Sequence, residues 1–171
     1  MFDLILKSAA GAALALTCAT AVIAEDIAAP QGDVILTVSG DIDVTNAGDI
    51  LQFDREQLAA LDTTTFKTTT IWSAGVNTFE GASLSALTAL LDLKDGKLLA
   101  TAINDYTVEI PVSDAVEGGP IIAFLMNGAE MSIRDKGPLS IVYPYDASDD
   151  FRSEVVYSRS IWQLDRIEVI R

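Results

Sequence analysis

The stretch Thr65-Phe-Lys-Thr-Thr-Thr-Ile-Trp-Ser-Ala-Gly-Val-Asn-Thr-Phe-Glu-Gly-Ala-Ser-Leu84 reads as a strand running through a loop into a helix start. Such junctions often build ligand sites on a rigid scaffold. Its chemical groups are the hydroxyls of Thr68, Thr69 and Thr70, which donate and accept hydrogen bonds, and the indole of Trp72. Trp72 and Trp162 can stack on a flat ligand, or pack in the core or at its rim. Asn104, Asp105 and Tyr106 form a second polar group, able to hydrogen-bond a ligand or to turn the chain around a buried tyrosine. Arg134, Lys136 and Arg159 are the bases best suited to a phosphate or carboxylate. Pairing with surface acids is their alternative, since 25 carboxylates surround only 11 bases.

What the chain lacks narrows the chemistry further. It has no histidine, and its one cysteine, Cys18, lies in an N-terminal segment expected to be removed. Within the remaining chain this excludes Ser-His-Asp and Cys-His catalysis, histidine or thiolate zinc sites, iron–sulfur clusters and haem attachment through cysteine. A Ser-Lys pair would need Ser132 or Ser140 beside Lys136, and nothing marks a nucleophile elbow. The run from Asp41 to Thr45 fails as an EF-hand, because Asn46 stands where the turn glycine belongs and Gln52 where the bidentate glutamate belongs. Asp146, Asp149 and Asp150 offer at most weak calcium ligation, with a solvated loop the expected reading.

Residues 1–24 read as a secretory signal: Lys7 near the start, an alanine-rich apolar run over 9–23, and Val22-Ile-Ala24 as a small-residue cleavage site. The run is too short for a span and is followed at once by Glu25 and Asp26, so the expected product is exported, periplasmic or secreted, and not membrane-embedded. The signal carries one acid (Asp3) and one base (Lys7), so its loss leaves the net charge at −14. That balance repels nucleic acid and anionic membrane surfaces. Residues 25–171 suffice for one domain with a real core, and a chain that is 50% apolar is not expected to be disordered.

The elements expected to position these groups are short. Residues 33–44 are β-branched and interrupted by Gly40, which predicts a strand with a bulge or a turn to a second strand. Asp54 and Gln57 predict a capping box on a helix reaching Leu61. Residues 65–72 predict a strand with Phe66, Thr68 and Thr70 on one face. After a turn at Gly81, Ser83 caps a helix whose Leu84, Leu87, Leu90 and Leu91 face the core. Strands are expected over 100–104 and 106–110, then one helical turn over 112–116 capped by Ser113. Asn127-Gly128 predicts a hairpin between 121–126 and 130–133, and further strands are expected over 139–143 and 167–170. The fold class is α+β, a mixed sheet framework with two or three short helices.

The ordered set Phe79-Glu-Gly-Ala-Ser-Leu84, Ala102-Ile-Asn-Asp-Tyr106 with Ile110-Pro111, Met126-Asn-Gly128, Gly137-Pro-Leu139 with Tyr143-Pro144, and Ile161-Trp162 resembles the oxidoreductase molybdopterin-binding domain of sulfite-oxidase type. The resemblance covers residues 33–171. It implies a sheet framework whose loops, in catalytic members, hold a molybdenum-pterin cofactor, with a cysteine thiolate on the metal. The matching position falls at Thr68 or Thr69, and a threonine hydroxyl is a poor substitute for thiolate. Residue chemistry and resemblance together make Thr68, Thr69, Trp72, Asn104, Asp105, Tyr106, Arg134 and Arg159 the candidate cofactor-binding residues, with no catalytic residue among them. The expected function is a non-catalytic ligand- or partner-binding module, feeding a membrane sensor or a redox partner. The alternatives are a molybdenum-pterin oxidoreductase that holds its cofactor without a protein thiolate, and a purely structural subunit.

Overall fold

The computed structural model describes residues 27–171. The expected signal segment over 1–24, with Cys18, lies outside the described residues. Two strands open the fold, β1 (Leu36–Gly40) and β2 (Leu51–Phe53). β1 stops at Gly40 because the chain turns there with φ +93°, and a Cβ would meet the Val169 carbonyl at 2.3 Å. Asp54 then caps α1 (Arg55–Ala60) with the expected box: Gln57 N donates to Asp54 Oδ1 at 2.9 Å, and Gln57 Oε1 accepts from Asp54 N at 3.2 Å.

The next segment departs from the reading of strand, loop and helix. β3 (Thr63–Thr70) is followed after two residues by β4 (Ser73–Ser83), a strand of eleven residues. Gly81 is therefore not a turn. It lies inside β4, opposite Thr64 on one side and Ala123 on the other. Its missing side chain lets the neighbouring strand close in, since a Cβ would lie 2.2 Å from the Ile122 carbonyl. Ser83 caps α2 (Leu84–Leu90), accepting from Ala86 N at 3.2 Å, and Leu84, Leu87 and Leu91 are buried as the spacing predicts. Each such leucine contributes about 2 kcal/mol.

β5 (Lys97–Ala102) and β6 (Thr107–Pro111) form a hairpin, and the following turn, Val112–Asp114, is capped from Pro111 rather than Ser113. β7 (Ile121–Met126) and β8 (Ala129–Glu130) meet across Asn127 and Gly128, whose φ values of +54° and +78° suit a tight hairpin. The second arm stops after two residues, where Ser132 caps a 3-10 turn over Ile133–Asp135 in place of a strand reaching 133. β9 (Leu139–Val142), a short α3 (Glu154–Ser158) and β10 (Ile161–Ile170) complete the chain. β10 is longer than its apolar end predicts, because it gains partners on both edges.

The sheet order is β2-β1-β10-β9-β7-β4-β3, with β5 on the other edge of β10, β6 on β5 and β8 on β7. β1 and β10 run parallel while the remaining pairs are antiparallel, so the curled sheet is mixed and the fold α+β. β10 serves both halves. Its start pairs with β9 and its end with β1 and β5, and the register shifts around Gln163, which has φ +55°. The bend swings Ile161 and Trp162 toward the turn between β3 and β4. Among the described residues no helix is long and apolar enough to cross a membrane.

Candidate functional site

Trp72 occupies the two-residue turn between β3 and β4, and a threonine hydroxyl sets it there. Thr70 Oγ1 accepts from Trp72 N at 3.2 Å and from Ser73 N at 3.0 Å, and lies 2.7 Å from Ser73 Oγ. The indole then meets three rings edge-on: Trp162 at 5.5 Å between centroids, Tyr157 at 6.0 Å and Tyr145 at 6.2 Å. Such pairs add about 1 kcal/mol each beyond their burial.

Thr68 and Thr69, just before this turn, hold the segment that follows Tyr145. Thr68 is fully buried, and its hydroxyl accepts from Asp146 N at 3.1 Å and donates to the Thr69 carbonyl at 3.2 Å. Thr69 donates through N at 2.6 Å and Oγ1 at 2.8 Å to the two carboxylate oxygens of Asp146. The Thr69 backbone N–H foremost, with the Thr69 hydroxyl and Arg152 behind it, holds the Asp146 carboxyl below the usual range. These bonds clamp the segment carrying Tyr145. Burial pushes the Tyr145 phenol up to about 12, partly offset by its hydrogen bond with Ser160 Oγ.

Above the cluster opens a cleft of about 480 Å³ between the β3–β4 turn, the β5–β6 loop, α3 and the start of β10. Ile71, Trp72, Tyr106, Tyr157, Ile161 and Trp162 supply apolar and aromatic walls, while Asn104, Ser158 and Ser160 supply neutral polar groups. Among the described residues no carboxylate or base lines it. On the other side of the Trp72–Trp162 pair, Lys136 donates from Nζ to the Trp72 carbonyl at 3.1 Å and lies 5.5 Å from the Trp162 ring centroid. Lys136 makes no ion pair among the described residues, and partial burial lowers its pKa. Ser140 Oγ donates to the Lys136 carbonyl and Ser132 Oγ to Asp135, so neither serine forms a Ser-Lys pair.

The structure thus gathers Trp72, Asn104, Tyr106 and Trp162 at one cleft and leaves the other candidates elsewhere. Thr68 and Thr69 hold the Asp146 segment. Asp105 pairs with Arg166. Arg159 is bound to Asp114 at 2.8 and 3.0 Å, and the same carboxylate accepts from the buried Tyr143 hydroxyl at 2.7 Å. Arg134 is exposed on the Ile133–Asp135 turn, away from the cleft. Asp146 and Asp149 both approach Arg152 instead of a cation site. Tyr157, Ser158 and Ser160 went unsingled in the sequence. Ser153 before Glu154 was the available signal, an N-cap whose hydroxyl accepts from Val156 N.

A molybdenum centre held by a protein ligand does not fit these residues. The two hydroxyls where the resemblance would put a thiolate, Thr68 and Thr69, are both already engaged in hydrogen bonds, and no group of three or more His, Cys, Asp or Glu side chains converges among the described residues. No protein-family model matches the chain, and no curated protein matches it.

Proposed function

We propose that the protein is an exported, non-catalytic binding module on a sulfite-oxidase-type, molybdopterin-binding-like framework, with the aromatic cleft as its ligand seat. The observation that carries this reading is the composition of the cleft: aromatic walls and neutral hydrogen-bonding groups, without a carboxylate, in a chain of net charge −14. Its volume lies in the range of ordinary small-molecule sites. Exclusion of acids favours a flat organic ligand that is neutral or anionic, held by Trp162 and Tyr106 and oriented by Asn104 and Ser158. Support for a non-catalytic role comes from residues 27–171, which contain neither histidine nor cysteine. A membrane sensor or redox partner would then read the liganded state.

The test is molybdenum and pterin content per chain, on protein made in a host able to load the cofactor, followed by titration of tryptophan fluorescence with a simple pterin. The reading expects no metal and saturable quenching. Near-stoichiometric molybdenum would sink the non-catalytic assignment. Absent metal, absent quenching and a co-purifying protein would instead identify a structural subunit.

A further inference from the structure

Open sheet edges recruit further strands unless short length, charge or proline shields them. The paths of this sheet end on β2, β3, β6 and β8. β2 has three residues and β8 two, while β6 has five and carries Glu109 and Pro111. β3 is the longest of them: eight residues, Thr-Thr-Thr-Phe-Lys-Thr-Thr-Thr, without proline, glycine or carboxylate and with Lys67 as its single shielding charge.

Three observations fix which of its backbone groups are open. Ser83 N donates to the Asp62 carbonyl at 2.8 Å, which turns Asp62 toward β4. Thr78, opposite Lys67, exchanges hydrogen bonds with Asn127 and so points away from β3. Thr69 N donates outward to Asp146. Alternation along an antiparallel strand then directs the N–H and C=O of Thr63, Thr65 and Lys67 away from β4. None of these groups meets a partner among the described residues.

We propose that β3 pairs antiparallel with β3 of a second copy, about a two-fold axis through Thr65. In that register Thr65 faces Thr65 of the partner subunit, and Thr63 faces the partner's Lys67. Each opposed pair exchanges two hydrogen bonds, so all the open groups are satisfied at once. Charge selects the same register: centring on Lys67 would oppose two ammonium groups, which is unfavourable, whereas centring on Thr65 sets each lysine against a threonine. Length agrees as well. The Asp146 carboxylate closes the edge at Thr69 in each copy, so the open runs on the two strands match end to end.

The test uses Thr65→Cys in a Cys18→Ser background, which leaves one thiol per chain. Hydrogen-bonded antiparallel pairs set Cα atoms ~5.5 Å apart, inside the ~4.4–6.8 Å that a disulfide spans. Oxidation is expected to yield a covalent dimer for Thr65→Cys, and for Thr63→Cys mixed with Lys67→Cys, but not for Thr63→Cys alone. The wild-type chain is expected to sediment as a dimer at about 100 µM. Thr65→Pro, which removes an N–H that the monomer does not use, should halve that mass while circular dichroism stays unchanged. A monomer at that concentration overturns the proposal and leaves the edge to a foreign strand. A dimer that survives Thr65→Pro, or cross-linking by Thr63→Cys alone, assigns the contact to another surface and overturns it equally.

Discussion

Two concave regions of similar size lie on this protein, and they differ in the charge of the side chains that line them. The aromatic cleft measures about 480 Å³, and a groove lined by Gln31, Asp33, Asp54, Glu56 and Glu130 about 510 Å³. In the groove, Asp54 accepts from the backbone N–H groups of Gln31, Gly32 and Gln57, each at 2.9 Å, and Arg55 pairs with Glu130 at 3.1 Å. Those N–H groups foremost hold the Asp54 carboxyl below its ordinary value. The groove is a corner where the chain fastens itself to α1. Near the cleft, Thr68, Thr69 and Asp146 fasten the chain outside the lining, and the lining itself presents aromatic faces and neutral groups, of which Asn104, Ser158 and Ser160 each already hydrogen-bond within the fold. Concavity alone is thus no sign of binding; the distinction is the charge of the lining, carboxylates in the groove and none among the described residues of the cleft.

The comparison can be broken or sharpened by substitution. Trp72→Ala removes the ring at the centre of the cluster and should cost about 3 kcal/mol in urea unfolding, together with the cleft itself. Asp114→Ala leaves Arg159 half-buried without its carboxylate and the Tyr143 hydroxyl buried without an acceptor, for about 2 kcal/mol; pterin quenching should survive at denaturant concentrations where the variant stays folded. Asp54→Ala should lower Tm by less than either and leave quenching unchanged, because the corner and the cleft share no residue. Trp162→Ala reverses that pattern: stability falls less than in Trp72→Ala, because Trp162 is 39% exposed, and binding weakens about tenfold. Equal loss of quenching in Asp54→Ala and Trp162→Ala would erase the distinction between the two regions.

The pH axis separates the two regions on its alkaline side only. The unfolded Tyr145 phenol ionises near its ordinary pKa of ~10, whereas the folded one waits until about 12. The unfolded state therefore binds fewer protons across that window, and stability present below pH ~10 falls as pH rises. Burial foremost also pushes the Tyr143 phenol up, which adds to the same alkaline loss. Asp54 and Asp146 have depressed values, so their contribution is present above the ordinary carboxylate range and is lost as pH falls through the depressed pKa. Tyr145→Phe should flatten the alkaline limb of a Tm against pH curve, and Asp54→Ala the acid limb.

Much of the local chemistry was legible where neighbours in sequence are neighbours in space. The Asp54–Gln57 box, the Ser83 cap, the leucine face of α2 and the Asn127-Gly128 turn all follow from residues within a few positions of one another. Part of the cleft was legible too, since Trp72, Asn104, Tyr106 and Trp162 declared themselves by type. The rest required partners far along the chain. Gly81 looks like a turn until β7 packs against it, and the length of β10 depends on β1, β5 and β9. The composition determined by itself which catalytic chemistries are closed to residues 27–171, because no fold supplies a histidine or thiolate that the chain lacks. Only the tertiary structure decided that Thr68 and Thr69 clamp Asp146, that Arg159 belongs to Asp114, and that the indoles meet beside an acid-free cleft, because each of those contacts joins residues separated by dozens of positions.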